Sequence, residues 1–575
     1  MRSTTGNRKN RIRMKSPVGT FAPMLLALLA IVAIAGSGSA APPHPDLVDR
    51  ARSASTEDGA TAIVLPDPDH MHQRGICTAD DPYFTRYLAS KQAGQRAAQA
   101  EGFKVLALLV DFSDNQAAVA PAFYDSLVFG SGTGTIADYL SEISYGQVDL
   151  ITDDLPSTIG WTRAPQPYSY YVNGEQGMGG YPQNSQKLVE DLVDAVDGQV
   201  DFSNYDNDGD GYVDVLLVIH AGSGAELTGS PDDIWSHKWA IPSRQKDGVR
   251  VSSFTVQPEF WVSPGDMTIG VYAHELCHGF GLPDLYDTDY SSKGVGAWCL
   301  MSFGAWNGNR GDSPSHPSAW CRIAMGFASP QQVQQNVSQE AIVAVETQPD
   351  IYRLDLTATE YYLVENRQRT GYDAALPGDG LLIWHVDDAK GGNTTEWYPG
   401  QPASNHFLVA LEQADNDFAL EHNIGYGDGS DPFPGSTDNR TFDSASAPAA
   451  TSYSSDSLFV GITNISSSAT TMYADLRVDT SSIITGHDGE PKPPLPVSFE
   501  LAQNYPNPFN PSTTIQFDLD ESAEIKLTVY NSLGQKVRTL VEGTYPAGIT
   551  DVVWDATDKD GQSVASGVYL YRMTV

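Results

Sequence analysis

VYAHELCHGFGLPDLYD, residues 271 to 287, sets two histidines four residues apart with a glutamate directly after the first. In a helix, His274 and His278 stand one above the other on a single face. Two imidazoles so placed can share one zinc ion, with Glu275 beside the metal as general base for a water molecule. Gly279 and Gly281 let the chain leave the helix, Gly281 at positive φ, and Pro283 prevents the helix from resuming. The chain turns back and presents Asp284 as the third ligand that a catalytic zinc needs beside an open position. The competing reading of Asp284 is a helix-end carboxylate, with Asp287 in reserve as ligand. Cys277 falls about 60° from His274 by helical period, at the edge of the zinc-facing arc. A small buried hydrophobe, or a disulfide half-partner of Cys299 or Cys321, suits it better than a fourth ligand.

The spacing H-E-x-x-H-x-x-G-x-x-D follows the metzincin signature except that aspartate replaces the third histidine. WCLMSFG supplies Met301 as the methionine turn that such sites place beneath the zinc. On its own Met301 reads as an ordinary core methionine; with the helix motif it completes a zinc hydrolase site.

Outward from this centre, 575 residues exceed what one core organises, and three or four domains are expected. Arg2, Arg8, Lys9, Arg11, Arg13 and Lys15 head an apolar run, FAPMLLALLAIVAIA, followed by GSGSAA. That is a secretory signal peptide, residues 1–40, cleaved after Ala40 or Ala41 and too short to span a bilayer. No later stretch is apolar enough to span, so no integral membrane segment is expected after signal removal, and the product is secreted or attached to the cell surface. A formal charge of −38 repels phosphate backbones and anionic lipid, which excludes nucleic acid as a partner. Four cysteines, Cys77, Cys277, Cys299 and Cys321, exclude a disulfide-dense scaffold.

Residues 41–100 are rich in Pro, Asp and Ala and read as a pro-segment rather than a core. KVLALLVDF (104–112) and DVLLVIHAG (214–222) are buried strands, while 136–144 and 185–196 have helical spacing. These place an α/β catalytic domain over 101–335. From 336 to 480, YRLDL, EYYLVENR, GLLIWHVDD, FLVALEQ and MYADLRV form a β-rich domain. Residues 481–497 are a Pro- and Gly-containing linker, and 498–575 alternate like a small β-sandwich. His220 and His385 are expected to be structural, and the aromatics of 361–384 to be sheet core.

DNDGDGYVD places Asp206, Asp208 and Asp210 at alternate positions, then the Tyr212 carbonyl and Asp214, an oxygen-rich loop suited to calcium. Leu217 stands where an EF-hand carries its glutamate, so the loop is not an EF-hand; a solvated acidic turn is the alternative. Cys77, in HMHQRGICTADD, is expected as a latency ligand whose thiolate closes the open zinc position during export. A disulfide to a cysteine of the catalytic domain is the alternative.

HELCHGFGLPDLYD, WCLMSFGAWNG and HPSAWCRIAMGF resemble the immune inhibitor A-type secreted metalloproteases. The resemblance extends upstream through KVLALLVDFSD, YLSEISYGQVDL, DNDGDGYVDVLLVIHAGSGAE and IWSHKW, and downstream through EYYLVENRQRTGYD, LPGDGLLIWHVD and LEQAD. It implies zinc on His274, His278 and Asp284 with Glu275 as base. The Tyr that some metzincins carry after the methionine turn is absent, since Ser302 and Phe303 follow Met301. Tyr286 and His237 stand as candidates for stabilising the oxyanion. NYPNPFNPSTTIQFDL, VYNSLGQKVRTL and DKDGQSVASGVYLYRM resemble the type IX secretion sorting domain, which is related to the Ig-like fold of flagellar hook-capping proteins. The fold class implied is multidomain: an α/β metzincin-like protease domain, a β-rich domain and a C-terminal Ig-like β-sandwich. The partners implied are protein or peptide substrates, with the secretion machinery engaged by the C-terminal domain.

Three functions of different kinds remain open: a secreted zinc endopeptidase, a zinc exopeptidase or other zinc hydrolase, and a surface-binding protein with a vestigial zinc site. Retention of His274, Glu275, His278, Asp284 and Met301 together argues against the last.

Overall fold

The computed structural model describes residues 40–54, 102–454, 460–478, 499–501, 512–519, 523–531, 536–545, 548–559 and 569–574, and single positions 63, 65, 66, 71, 74, 76 and 564. Cys77, residues 1–39 of the signal segment and the 481–497 linker lie outside the described residues.

Five strands build the sheet under the metal motif: β1 (Leu106–Asp111), β2 (Trp161–Arg163), β3 (Leu216–His220), β4 (His237–Lys246) and β5 (Val249–Pro258). Their spatial order is β2-β1-β3-β5-β4, parallel throughout except for β4, which closes the edge antiparallel to β5. Every residue of β1 and β3 is buried because helices cover both faces, which is why these strands read as unbroken apolar runs. Ala107 and Leu109 of β1 face the core that holds helices α2 (Ile136–Ile143) and α4 (Gly270–Gly279). Leu106, Leu108 and Val110 face the opposite core, built on α3 (Ser185–Val196). Side chains of Thr135 and Asn184 accept from the third amides of α2 and α3 and so fix where these helices start.

Beyond residue 330 a second sheet runs Val409–Leu411, Gly380–Asp387, Glu360–Arg367, Ile351–Asp355 and Gln331–Gln332 in spatial order. One face (Tyr361, Leu363, Leu382 and Trp384) shares a continuous core with α4. The other (Tyr362, Val364, Leu381 and Ile383) packs against a third sheet containing Val460–Thr463 and Thr471–Val478. The aromatics of this region are therefore sheet core. A buried polar network crosses the same junction: Arg322 donates to Glu365 at 2.7 Å, Arg367 to Asp373 at 2.7 and 2.8 Å, and Trp384 to Glu365 at 2.9 Å. The sequence boundary near 335 thus crosses a shared core.

At the C-terminal end, two three-stranded sheets enclose Ile515, Phe517, Leu519, Ile525, Leu527, Val552 and Met573. The alternation of Ile515, Phe517 and Leu519 along one strand is the signature of a sandwich face. The architecture is mixed α/β, then β-rich, then Ig-like.

Helix α1 (Pro45–Ala54) and the residues before it lie in the 41–100 stretch that reads as lacking a core of its own. Ala41, Leu47 and Val48 are buried, Leu47 in the core under α3 and Val48 against Tyr286 and Phe303. The stretch packs onto the cores of the 102–330 region and builds none of its own.

Candidate metal centre and cleft

Helix α4 is buried along its whole length, and Gly270 explains how: a Cβ there would meet the Ala305 carbonyl oxygen at 1.9 Å. The helix ends at Phe280, Gly281 adopts φ +93°, and the chain returns through Pro283, as the residues dictate. This brings three atoms together. His274 Nε2 and His278 Nε2 lie 3.1 Å apart, and Asp284 Oδ1 lies 3.0 Å from the first and 3.3 Å from the second.

The tautomers follow from the outer ring nitrogens. His274 Nδ1 meets the Leu300 carbonyl at 2.9 Å and His278 Nδ1 the Leu282 carbonyl at 2.8 Å. A carbonyl oxygen only accepts, so each Nδ1 carries the proton and each Nε2 presents a lone pair to the common point. Two imidazole lone pairs and a carboxylate oxygen converging within van der Waals distance repel one another unless a cation lies among them. Tetrahedral zinc, with ligands at about 2.0–2.2 Å, separates its donor atoms by roughly 3.3 Å, and the observed set fits it. Backbone carbonyls fixing the outer nitrogens are the support such a metal needs.

Met301 is fully buried in the same core, and its carbonyl accepts from Leu285 N at 2.7 Å. The turn at 300–301 thereby pins both His274 and the loop after Asp284. Asp287 is engaged elsewhere: it accepts from Ser292 N at 2.9 Å and Ser292 Oγ at 2.7 Å and ties down its own loop. Cys277 is a free buried thiol, its pKa pushed up by burial, and Cys299 and Cys321 stand with their sulfurs 3.9 Å apart. Cys277 is packing.

Glu275 is fully buried, and no described side chain hydrogen-bonds its carboxylate. Burial pushes its pKa well above the ordinary carboxylate value, against the pull of His274. The buried Glu226 also acts on it electrostatically, and its own pKa is raised by burial to about 7. Glu226 accepts from Ser236 N at 3.1 Å and Ser236 Oγ at 2.6 Å.

The segment before α1 is hydrogen-bonded to residues on either side of the motif. Ala41 N donates to Ser236 O at 3.0 Å and lies close enough to Glu275 to favour its charged form. Tyr286 Oη donates to the Ala40 carbonyl, Trp235 Nε1 to Ala41 O at 2.8 Å, and Trp306 Nε1 to Pro42 O at 2.7 Å. Of the two candidates for the oxyanion, Tyr286 is therefore in the cleft. His237 packs between Trp239 and Phe254 with Nδ1 at the Trp235 carbonyl, and burial pushes its pKa down to about 4. Trp235 and Ser236 in IWSHKW, Glu226 in GSGAE and Trp306 in GAWNG carry no sequence signal of a place at the site. A tryptophan reads first as core, and nothing in the spacing says that its N–H faces a cleft.

The acidic loop is also assembled. Asp206, Asp208, Asp210 and Asp214 each bring a carboxylate oxygen within 4.8 Å of the others. Gly209 and Gly211 turn the loop at φ +81° and +90°. Asp206 accepts from the amides of Gly209, Asp210 and Gly211 at 2.7, 3.0 and 3.0 Å. Asp214 is buried, and burial, with Asp208 and Asp206 nearby, raises its pKa to about 8.

His220 and His385 are structural, as expected. His220 Nδ1 sits 3.0 Å from Ala221 O, and His385 lies between Glu360 and Glu412, 2.9 Å from each.

Comparison with known proteins gives this geometry a context. Residues 91–326 match the family described as immune inhibitor A peptidase M6, catalytic domain, and residues 507–575 match the FlgD Ig-like domain. Immune inhibitor A of Bacillus thuringiensis subsp. alesti is 32% identical over 261 residues, covering 36% of this chain and 36% of that protein. The pre-pro-metalloprotease PrtV of Vibrio cholerae serotype O1 is 29% identical over 273 residues, covering 38% and 29%. The matched part thus spans about a third of each relative's length. Residues 91–326 are thus similar to a peptidase M6 catalytic domain, and residues 507–575 to a FlgD Ig-like domain.

Proposed function

We propose that the chain is a secreted zinc-dependent endopeptidase. The observation that carries this reading is the convergence of His274 Nε2, His278 Nε2 and Asp284 Oδ1 beside a buried Glu275 carboxylate. His274, His278 and Asp284 would hold the ion, which when bound supplies Lewis acidity toward a peptide carbonyl and a water molecule. Glu275 takes a proton from the attacking water and delivers it to the leaving amide nitrogen. Leu300 and Leu282 carbonyls hold the two imidazoles in the tautomer that faces the metal. Met301 supports them from below.

Pro42, Leu47 and Val48, which survive signal removal, pack against Trp306, the core under α3, and Tyr286 with Phe303, which fits a protein exported in latent form. Cys77, which lies outside the described residues, is proposed as a latency ligand for the zinc. Calcium in the Asp206–Asp214 loop, with Tyr212 offering its carbonyl, is proposed because a buried Asp214 gathered with three further carboxylates is stabilised by a divalent cation. EGTA at fixed zinc should lower the melting temperature; an unchanged value removes calcium from the account. The C-terminal Ig-like domain is proposed to direct export or surface attachment through the secretion machinery and to take no part in catalysis.

The test of the activity is hydrolysis of an internally quenched peptide with both ends blocked, with and without a zinc chelator. Chelator-sensitive cleavage of the internal bond is expected. Cleavage confined to free-terminus amides makes the protein an exopeptidase, and cleavage of neither makes the site vestigial.

A further inference from the structure

The β-rich region holds a recess of about 340 Å³, its open mouth included, whose walls include Trp397, Glu412, Gln413, Phe418, Glu421 and Tyr453. No lysine or arginine is among the described residues that line it. Glu421 is 5% exposed, and Gln413 Nε2 donates to one of its oxygens at 2.7 Å. Apart from its own amide, Gln413 is its donor among the described residues. Glu412 likewise commits one oxygen, to His385 Nδ1 at 2.9 Å. Burial pushes the Glu421 pKa up to about 8, with the charges of Glu412 and Asp431 adding to the rise.

The aromatic walls are fixed by their contacts. Tyr453 is stacked on His385 (centroids 4.1 Å apart, planes at 6°) and on His406 (3.9 Å, 13°). Two rings parallel to a third at that distance must lie on its opposite faces, so Tyr453 has only its edge left for the recess. The faces left are those of Trp397 and Phe418. Trp397 stands 5.5 Å from Tyr453 and 6.3 Å from Phe418, at 73° to each. Phe418 has φ +56°, a conformation that a bulky residue adopts only where its surroundings enforce it. The recess is also tied to the loop of the metal centre. Asn393 Nδ2, on the strand-to-Trp397 connection, donates at 2.9 Å to the carbonyl of Leu285, the residue after Asp284. The carbonyl of Leu420, the residue before Glu421, accepts from Lys293 N at 2.9 Å.

We propose that this recess binds a primary alkylammonium group, the head of a lysine side chain on a polypeptide that the enzyme cleaves. Each carboxylate gives one oxygen to a protein donor and keeps one. Single oxygens suit the separate N–H groups of an ammonium and not the paired fork of a guanidinium. Aromatic faces attract the same charge. A cation between Glu412 and Glu421 offsets the repulsion and desolvation that hold Glu421 protonated at neutral pH. The contact is non-covalent and uses none of the atoms that hold the metal, so it governs how a substrate is held and leaves the bond-breaking step unchanged. That use rests on the zinc endopeptidase reading above; the ammonium site itself does not.

The probe is n-butylammonium, titrated into the full chain and followed by saturation-transfer NMR, with n-butanol and potassium chloride as controls. The ammonium should bind, n-butanol should not, and potassium at equal concentration should leave the ammonium in place. Glu421→Gln and Trp397→Leu should each weaken binding by about tenfold. Should Glu421→Gln fail to fold, Trp397→Leu, which alters a half-buried wall, decides alone. Equal binding of n-butanol, displacement by potassium, or variants that bind as wild type does overturns the site. Hydrolysis of casein supplies the second readout. Acetylating its lysines removes their charge and should raise KM by roughly the same factor for wild type and not for Trp397→Leu, with kcat unchanged. A wild-type KM indifferent to acetylation removes the lysine from the proposal. A chain that binds n-butylammonium and cleaves no casein overturns the protease reading and leaves the ammonium site standing, so the two failures are distinguishable.

Discussion

His274 and His278 bring their Nε2 atoms to 3.1 Å from each other, with both Nδ1 protons committed to backbone carbonyls. No hydrogen bond can join two acceptors in that state, so the pair is an arrangement that a metal stabilises. Asp284 joins it at 3.0 and 3.3 Å. Single substitutions His274→Ala, His278→Ala and Asp284→Ala should each reduce the metal retained after gel filtration to a small fraction of one equivalent. An Asp284→Ala protein that keeps stoichiometric zinc would return Asp284 to a turn residue and leave the third ligand open.

Glu365 is the hinge of the buried network between the protease region and the second sheet. It accepts from Arg322, Arg367 and Trp384, and all four side chains are fully buried. Glu365→Ala leaves two guanidinium groups short of a partner in the interior, a change that costs about 3–5 kcal/mol. Urea unfolding should show that loss in the protease transition as well as in the β-rich one, because the core is shared. A loss below 1 kcal/mol, or one confined to residues beyond 335, would contradict the coupling.

The shared core also separates two truncations. Ending the chain near residue 480 should leave the fold and peptide hydrolysis intact while abolishing export in a host with the matching secretion system. Ending it at 335 exposes the apolar face that Leu363, Leu382 and Trp384 cover and should give insoluble protein. Normal export of the first truncation would remove the sorting role from the C-terminal domain.

His385 gives the β-rich region a pH dependence. Burial disfavours its charge, yet Glu360 and Glu412 at 2.9 Å on either side outweigh burial and raise its pKa above 6.5. Because the folded value lies above the unfolded one, the contribution is whole below about pH 6.5 and is lost as pH rises through the folded pKa. Wild-type melting temperature should therefore fall from about pH 6.5 upward more steeply than that of His385→Gln. Parallel curves would show that His385 does not titrate in that window.

The metal helix, its exit at Gly281 and the return of Asp284 are legible in the sequence because each depends on local rules: helical period, positive φ, a proline. Buried β1 and β3 are legible for the same reason, as runs closed by polar ends. The contacts of residues 40–42 are not. Ala40–Pro42 carry no periodicity, and their place beside Glu275 is set by Trp235, Trp306 and Tyr286, which lie about 190 to 270 positions away in the chain. Pairings at such separation leave no local pattern. The continuity of the core across residue 335 is hidden likewise, since a boundary in composition says nothing about which faces meet.

The central claim is that Glu275 moves the proton while His274, His278 and Asp284 hold the metal. Its most direct test is one variant, Glu275→Gln, measured for zinc content and for turnover of the blocked peptide in the same preparation. The account predicts one equivalent of zinc, as in wild type, with kcat reduced by about 10²–10⁴ or more. A Glu275→Gln enzyme that holds zinc and retains most of its kcat would contradict it.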